Sequence, residues 1–176
     1  MSKRALLIVD MQQGLFATPR YDAAGLVARI NGLSARMRAK QSPIIFIQHC
    51  GAEGEDIHPS QPGYNLHSDL EVEPHDTIIA KASCDAFLAT NLASTLSDFE
   101  VDEVVITGFA TDFCVDTTIR SALAQGYTTI VPEDGHTTAD RPYMSVQKVI
   151  EHHNFVWANL ISPAGAANIT RCDAIL

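Results

Sequence analysis

The chain has 176 residues, 46% of them hydrophobic and 19% charged, and a net charge of −9. That composition suits one soluble globular domain, 1–176, with a core of its own, and its acidity argues against nucleic acid or an anionic membrane surface as a partner. The four cysteines, at 50, 84, 114 and 172, form no CxxC pair, which argues against a disulfide framework and for a reducing, cytoplasmic setting.

The first apolar run, ALLIV at 5–9, ends at Asp10. It is too short for a signal peptide, and no later window has the length and apolarity of a membrane span. Leu26, Ile30, Leu33 and Met37 then share one helical face. After the run IIFI (44–47) comes a connection, 49–76, with prolines at 59, 62 and 74 and no helical pattern. Such a loop in a compact domain is expected to be functional. It is acidic (Glu53, Glu55, Asp56, Asp69, Glu71, Glu73, Asp76), and no Lys or Arg occurs between Lys40 and Lys81. TIIA (77–80) precedes a helical face of Leu88, Leu92, Leu96 and Phe99, and VVIT (104–107) precedes one of Val115, Ile119 and Ala122 that Gly126 caps. TTIV (128–131) follows. Asp140, ahead of Arg141-Pro142, reads as the start of a helix carrying Tyr143, Val146, Ile150 and His153, and VWANLI (156–161) reads as a last strand. The short runs do not alternate apolar with polar, so they are expected to be buried on both faces, as parallel strands are. Strand alternating with helix predicts an α/β domain with a mainly parallel sheet and helices on both faces.

In such a sheet ligands bind beyond the carboxyl ends of the strands, where the strand order reverses. Asp10 follows the first strand, Lys81 the third, and Gly108 and Cys114 the fourth. If the first and fourth strands are neighbours, Asp10 and Cys114 face each other. With Thr111 as N-cap, Cys114 occupies the third helical position, where free N–H groups and the helix dipole favour a thiolate. Lys81 adds positive charge, and Asp10 is placed to take the thiol proton and later deliver it to a leaving group. The same helix N-terminus offers donors to an oxyanion. Each residue also has an ordinary reading: a packing cysteine, an N-cap aspartate, a solvated lysine. An aspartyl phosphatase is disfavoured because Asp10-Met11-Gln12 lacks a second Asp, and a nucleotide fold because no Gly-x-Gly-x-x-Gly follows the first strand. A binding or redox-sensing thiol protein stays open as an alternative.

Four stretches, ALLIVDMQQGLF, KASCDAFLATNL, VVITGFATDFCVDTTIRSALAQGY and VPEDGHTTAD with VIEHHNFVWANL, resemble the isochorismatase-like cysteine hydrolases, a family that includes nicotinamidases, N-carbamoylsarcosine amidohydrolases and ureidoacrylate amidohydrolases. The resemblance implies a three-layer αβα sandwich on a six-stranded, mainly parallel, Rossmann-like sheet, assembled as a homodimer or homotetramer. It implies Cys114 as nucleophile, Asp10 as proton shuttle and Lys81 as the cation beside them. It further implies a cis bond between Phe109 and Ala110, with the N–H groups of Ala110 and Cys114 forming the oxyanion hole. Gln12, Phe16, His49, Tyr64, His67, Phe109 and Phe113 are the implied pocket residues, with His136 and Thr138 behind them.

The chain departs from nicotinamidases in lacking Asp-x-His after the second strand, where it reads IQHCGAEGEDIHPS. Neither a metal nor any other cofactor is therefore expected, although His49, His58 and His67 are ligand types zinc accepts. The stretch GYNLHSDL instead resembles a metal-free branch. Isochorismatases proper cleave a vinyl ether, for which an acid suffices. A retained cysteine in an activating setting favours acyl transfer, so the expected reaction is C–N hydrolysis of an amide or ureide. The acidic loop points to a small neutral or cationic substrate, while Arg20, Arg141 or a second subunit could supply the positive charge that an anionic one would need.

Overall fold

The computed structural model describes residues 3–175. Its sheet is built from β1 (Arg4–Val9), β2 (Ile44–His49), β3 (Thr77–Lys81), β4 (Glu103–Phe109), β5 (Thr128–Pro132), the two-residue β6 (His136–Thr137) and β7 (Asn168–Thr170). The order is β3-β2-β1-β4-β5-β7, with β6 beside the end of β4, and every pairing is parallel. Four helices flank it: α1 (Ala23–Ala39), α2 (Leu92–Asp98), α3 (Asp116–Ala124) and α4 (Val146–Trp157). The chain steps outward from β1 through β2 to β3, then returns to lay β4 on the other side of β1. The order therefore reverses between β1 and β4, and a crevice opens at their carboxyl ends.

The continuous apolar runs of β1, β2 and β4 are explained by two cores, one on each face, whereas β3, at the edge of the sheet, buries Ile79 and leaves Ile78 and Ala80 exposed. Leu6 and Ile8 of β1 point with Phe46 and Val105 toward Leu26, Ile30 and Leu33 of α1. Ala5, Leu7 and Val9 point the other way, with Ile47 and Ile106, toward Leu92 and Leu96 of α2 and Ile119 and Ala122 of α3. Successive strand residues face opposite sides, so a strand covered on both must be apolar throughout. Each such Leu or Ile contributes roughly 1.5–3 kcal/mol by leaving water. Gly108 permits the closest approach at the crevice. Its φ is +122°, and a Cβ there would lie 2.0 Å from the Val9 carbonyl oxygen. Gly126 ends α3 with φ +89°, as a C-terminal glycine does, and the Tyr127 N–H reaches back to the Ala122 carbonyl.

Three expected elements fall elsewhere. VWANLI is not a strand: Val156 and Trp157 finish α4, and the last strand is β7. Tertiary contacts decide this. Trp157 is fully buried, its Nε1–H donates to Asp116 Oδ1 at 2.7 Å and its ring meets His136 edge-on, whereas Ile161 is fully exposed. Secondly, α4 starts after Ser145, not at Asp140. Residues 141–144 close a turn through a backbone bridge, leaving Tyr143 outside the helix and exposed, while Asp140 Oδ1 accepts the Val146 N–H at 2.9 Å. Thirdly, α2 is shorter than its apolar pattern: Leu88 lies ahead of it and Phe99 at its end, both exposed. Residues 50–76 contain turns and one short 3-10 turn at Pro62–Tyr64, as their composition predicts.

Candidate active site

The three strand ends deliver their groups to one place. Asp10, next after β1, turns out of the strand with φ +51°, a left-handed conformation that Asp tolerates better than most residues. Its side chain is 2% exposed. Lys81 closes β3, in register with His49 at the end of β2. The Lys81 Nζ donates to Asp10 Oδ2 at 2.8 Å and to the Ser83 carbonyl at 2.9 Å, and lies 3.1 Å from His49 Nδ1. An ammonium has three donors, and here all three are engaged. Cys114 arrives from the other side of the reversal point, on a π-helical turn, Thr111–Val115, that runs directly into α3. A carboxylate oxygen of Asp10, a ring nitrogen of His49 and the Cys114 sulfur all lie within 4.8 Å of one another.

The local backbone differs from the expected N-cap. The extended residue before the turn is Ala110, and Thr111 caps nothing. Thr111 is buried, with its hydroxyl 2.9 Å from His136 Nδ1, while His136 Nε2 lies 3.1 Å from Asn154 Oδ1. Cys114 is thus the fourth residue of a π turn. The pairing of β6 with β4 sets this arrangement by placing His136 beside Gly108. The Phe109–Ala110 peptide bond is cis.

The resting electrostatics also differ from the expected thiolate. Burial pushes the Cys114 thiol well above its ordinary range, and the Asp10 charge pushes it further, outweighing the pull of Lys81. Burial likewise raises the Asp10 carboxyl above the usual carboxylate range, against the opposing effect of Lys81. His49 is lowered by burial first and by the Lys81 charge second, so at neutral pH it is uncharged and accepts from the ammonium. Asp10 Oδ1 is buried with no hydrogen-bond partner among the described residues. The site at rest therefore holds a protonated thiol beside a carboxylate with a free oxygen, already a better base than an exposed one.

These groups open onto a cavity of about 340 Å³. Of the candidate residues, Asp10, His49, Phe109, Ala110, Phe113 and Cys114 line it. Lys81 stands behind Asp10 and outside the lining. The remaining candidates support the wall rather than form it. Gln12 is fully buried, and its amide bonds the His49 backbone N–H and carbonyl and the Tyr64 carbonyl, tying β1 to β2 and the loop. Phe16 packs between the rings of His67 and Phe109, and Tyr64 sets its hydroxyl 3.7 Å from the Cys50 sulfur. Cys84, whose place in the Lys81 segment put it within reach of the pocket although packing was the favoured reading, lines it, and sequence reasoning did not place Leu15, Ile57 or Ala139 there. Nothing in their residue types marks them, since each is an ordinary small or apolar loop residue.

Two findings bear on ligands. Among the described residues, His58 and His67 join no group with metal-ligand geometry; the one such group is Asp10, His49 and Cys114. Its centre is a poor place for a dication, because the Lys81 ammonium already bonds Asp10 and abuts His49. Charge at the cavity is also the reverse of what the loop suggested. Ile57 is the loop's one contribution, and Asp76 is turned away into a bidentate pair with Arg38 at 2.6 and 3.1 Å. Arg20 and Arg141 both line the cavity.

Residues 4–166 match the isochorismatase domain. Streptothricin hydrolase of Streptomyces noursei is 35% identical over 143 residues, covering 79% of this chain and 51% of that protein, so the chain spans about half the length of this relative. The ureidoacrylate amidohydrolase RutB of Pantoea ananatis is 28% identical over 210 residues, covering 97% of this chain and 81% of that protein. The crystal structure of an isochorismatase family protein superposes with a TM-score of 0.86 at 32% identity, covering 94% of this chain and 96% of the other. With a matching domain across nearly its whole length and a shared fold, the chain belongs to the isochorismatase family of hydrolases.

Proposed function

We propose that the protein hydrolyses a C–N bond of a small amide or ureide through a thioester on Cys114. The observation that carries this reading is the convergence of a thiol, a carboxylate with a free oxygen and a fully engaged ammonium at the head of one cavity. The Cys114 proton passes to Asp10 as sulfur attacks the carbonyl carbon, so the S–C bond forms as the C=O π pair moves to oxygen. The N–H groups of Ala110 and Cys114 receive the oxyanion. On collapse the C–N bond breaks and the departing nitrogen takes the proton from Asp10. Water then enters, gives a proton to Asp10 and attacks the thioester. The C–S bond breaks, and the sulfur recovers its proton. Lys81 holds Asp10 in place and offsets the negative charge that travels between carboxylate and sulfur. Burial and the Asp10 charge favour the protonated thiol, so its proton leaves as attack proceeds.

The name of one relative, the ureidoacrylate amidohydrolase RutB, supports the bond class. A panel of carboxamides and ureides, read by ammonia release, tests the proposal. Turnover that disappears in Cys114→Ala, with an acyl-enzyme trapped on Cys114 by rapid quench, is the expected result. Turnover of a vinyl ether that persists in Cys114→Ala, with no ammonia released from any panel member, would replace this reading with acid-catalysed ether cleavage by Asp10.

A further inference from the structure

Resting on the hydrolase reading, we infer that Arg20 is a carboxylate-binding subsite in the cavity, so that the substrate is an amide or ureide bearing a carboxylate on a short arm.

The two arginines of the cavity are not equivalent. Arg141 is spoken for: its Nε and Nη2 donate to the two oxygens of Asp112 at 2.6 and 2.8 Å, and its guanidinium lies over the Phe113 ring. Arg20 has no such partner. Its Nε donates to the Leu15 carbonyl at 2.8 Å, and its guanidinium rests 5.1 Å from the centre of the Phe109 ring. Among the described residues no carboxylate pairs with it, in a chain with 21 acidic and 12 basic residues. Burial, and after it the charge of another cation, Arg141, makes its charged form harder to hold. Ring stacking and one neutral hydrogen bond fix where the guanidinium lies but do not neutralise it.

The geometry selects the ligand's chemistry. With Nε committed to Leu15, the two terminal nitrogens form a planar fork, which matches the two oxygens of a carboxylate. The surrounding wall, Leu15, Ile57, Phe109, Phe113 and Ala139, is apolar and strengthens a charge pair formed against it. A phosphate dianion would need further donors, and the second guanidinium is already neutralised. Asp10, the other charge on the wall, is compensated by Lys81. Cys114 and Arg20 line the same cavity, so one small molecule spans both.

The test uses Cys114 labelling, which requires no turnover. Haloacetamides carrying a carboxylate on arms of one to four carbons are paired with the matching carboxamides, and labelling of Cys114 is followed by peptide mass spectrometry in low salt. For at least one arm length the carboxylate is expected to react about ten-fold or more faster than its carboxamide. That ratio falls to about one in Arg20→Gln, takes an intermediate value in Arg20→Lys, and shrinks in high salt. Because the ratio is internal to each variant, a general change in thiol reactivity cancels. A ratio near one at every arm length, or an elevated ratio that survives Arg20→Gln, overturns the subsite. Elevated ratios with no hydrolysis of any amide or ureide would uphold the subsite and remove the hydrolase reading. In turnover assays the subsite also predicts that Arg20→Gln raises KM for the acid substrate more than it lowers kcat.

Discussion

Two buried polar clusters flank the π turn at Thr111–Val115, and they obey different rules. In the inner one, His136 is saturated: one ring nitrogen faces Thr111 Oγ1 and the other Asn154 Oδ1, with Trp157 packed edge-on. In the other, Asp10 Oδ1 makes no hydrogen bond of normal geometry among the described residues, burial and the Asp10 charge favour the protonated Cys114 thiol, and Lys81 spends all its donors on fixing its neighbours. A satisfied network is a positioning device. A network that leaves one buried acceptor open beside a nucleophile stores a desolvation penalty that a reacting proton relieves. The comparison separates residues that hold the turn from residues that use it.

The sharpest way to break that comparison is to remove the nucleophile. Cys114→Ala should lower kcat/KM by about 10⁴-fold or more while the thermal midpoint holds or rises, because a buried group next to a charge is removed. A similar loss of fold would place Cys114 with the structural cluster. Asp10→Asn should cost roughly 10²–10⁴-fold in kcat/KM. In the parent, the acid limb should report Asp10 itself. The base form is the active one and burial raises its titration, so activity should fall with decreasing pH at a midpoint above the ordinary carboxylate value. A midpoint below that value would show that Lys81, not burial, governs the site.

The structural cluster has its own pH signature, read in stability and not in rate. His136 titrates at about 4 in the fold because burial excludes its charged form, against 6.5 when exposed. Above 6.5 neither state is protonated and the contribution is fully present. As pH falls, the unfolded chain takes up the proton first, so stability should drop by about 3 kcal/mol between pH 7 and pH 4. Denaturant unfolding of His136→Gln should start lower at pH 7 and show a shallower slope over that range; equal slopes would sink the assignment. The smallest effect is expected at Trp157→Phe, which loses the bond to Asp116 Oδ1 and should cost about 1 kcal/mol in chemical denaturation with little change in kcat.

Much of this was legible in the chain itself. Short apolar runs with no alternation point to strands covered on both sides, as β1, β2 and β4 are, although β3 at the sheet edge leaves Ile78 exposed; Asp10 and Lys81 stand directly after such runs and Cys114 on the turn that follows one, so their shared edge was legible once the sheet was taken as parallel. Helix ends were less legible where two signals competed: Asp140 and Ser145 are both capping types, and the turn at 141–144 chose between them. VWANLI was ambiguous because a short apolar run fits a strand or a buried helix end equally well, and only the Trp157 contact with Asp116 decided it.

What the sequence determined by itself was the periodicity: that short apolar strands alternate with helices, and which side chains stand at the ends of the first, third and fourth strands. Tertiary structure alone decided which charges meet. Arg38 draws Asp76 away from the cavity, Asp112 neutralises Arg141, and Arg20, in the cavity wall, has no counterion among the described residues. Pairing and burial depend on groups far apart in the chain, and composition averages over the distances that fix an electrostatic energy.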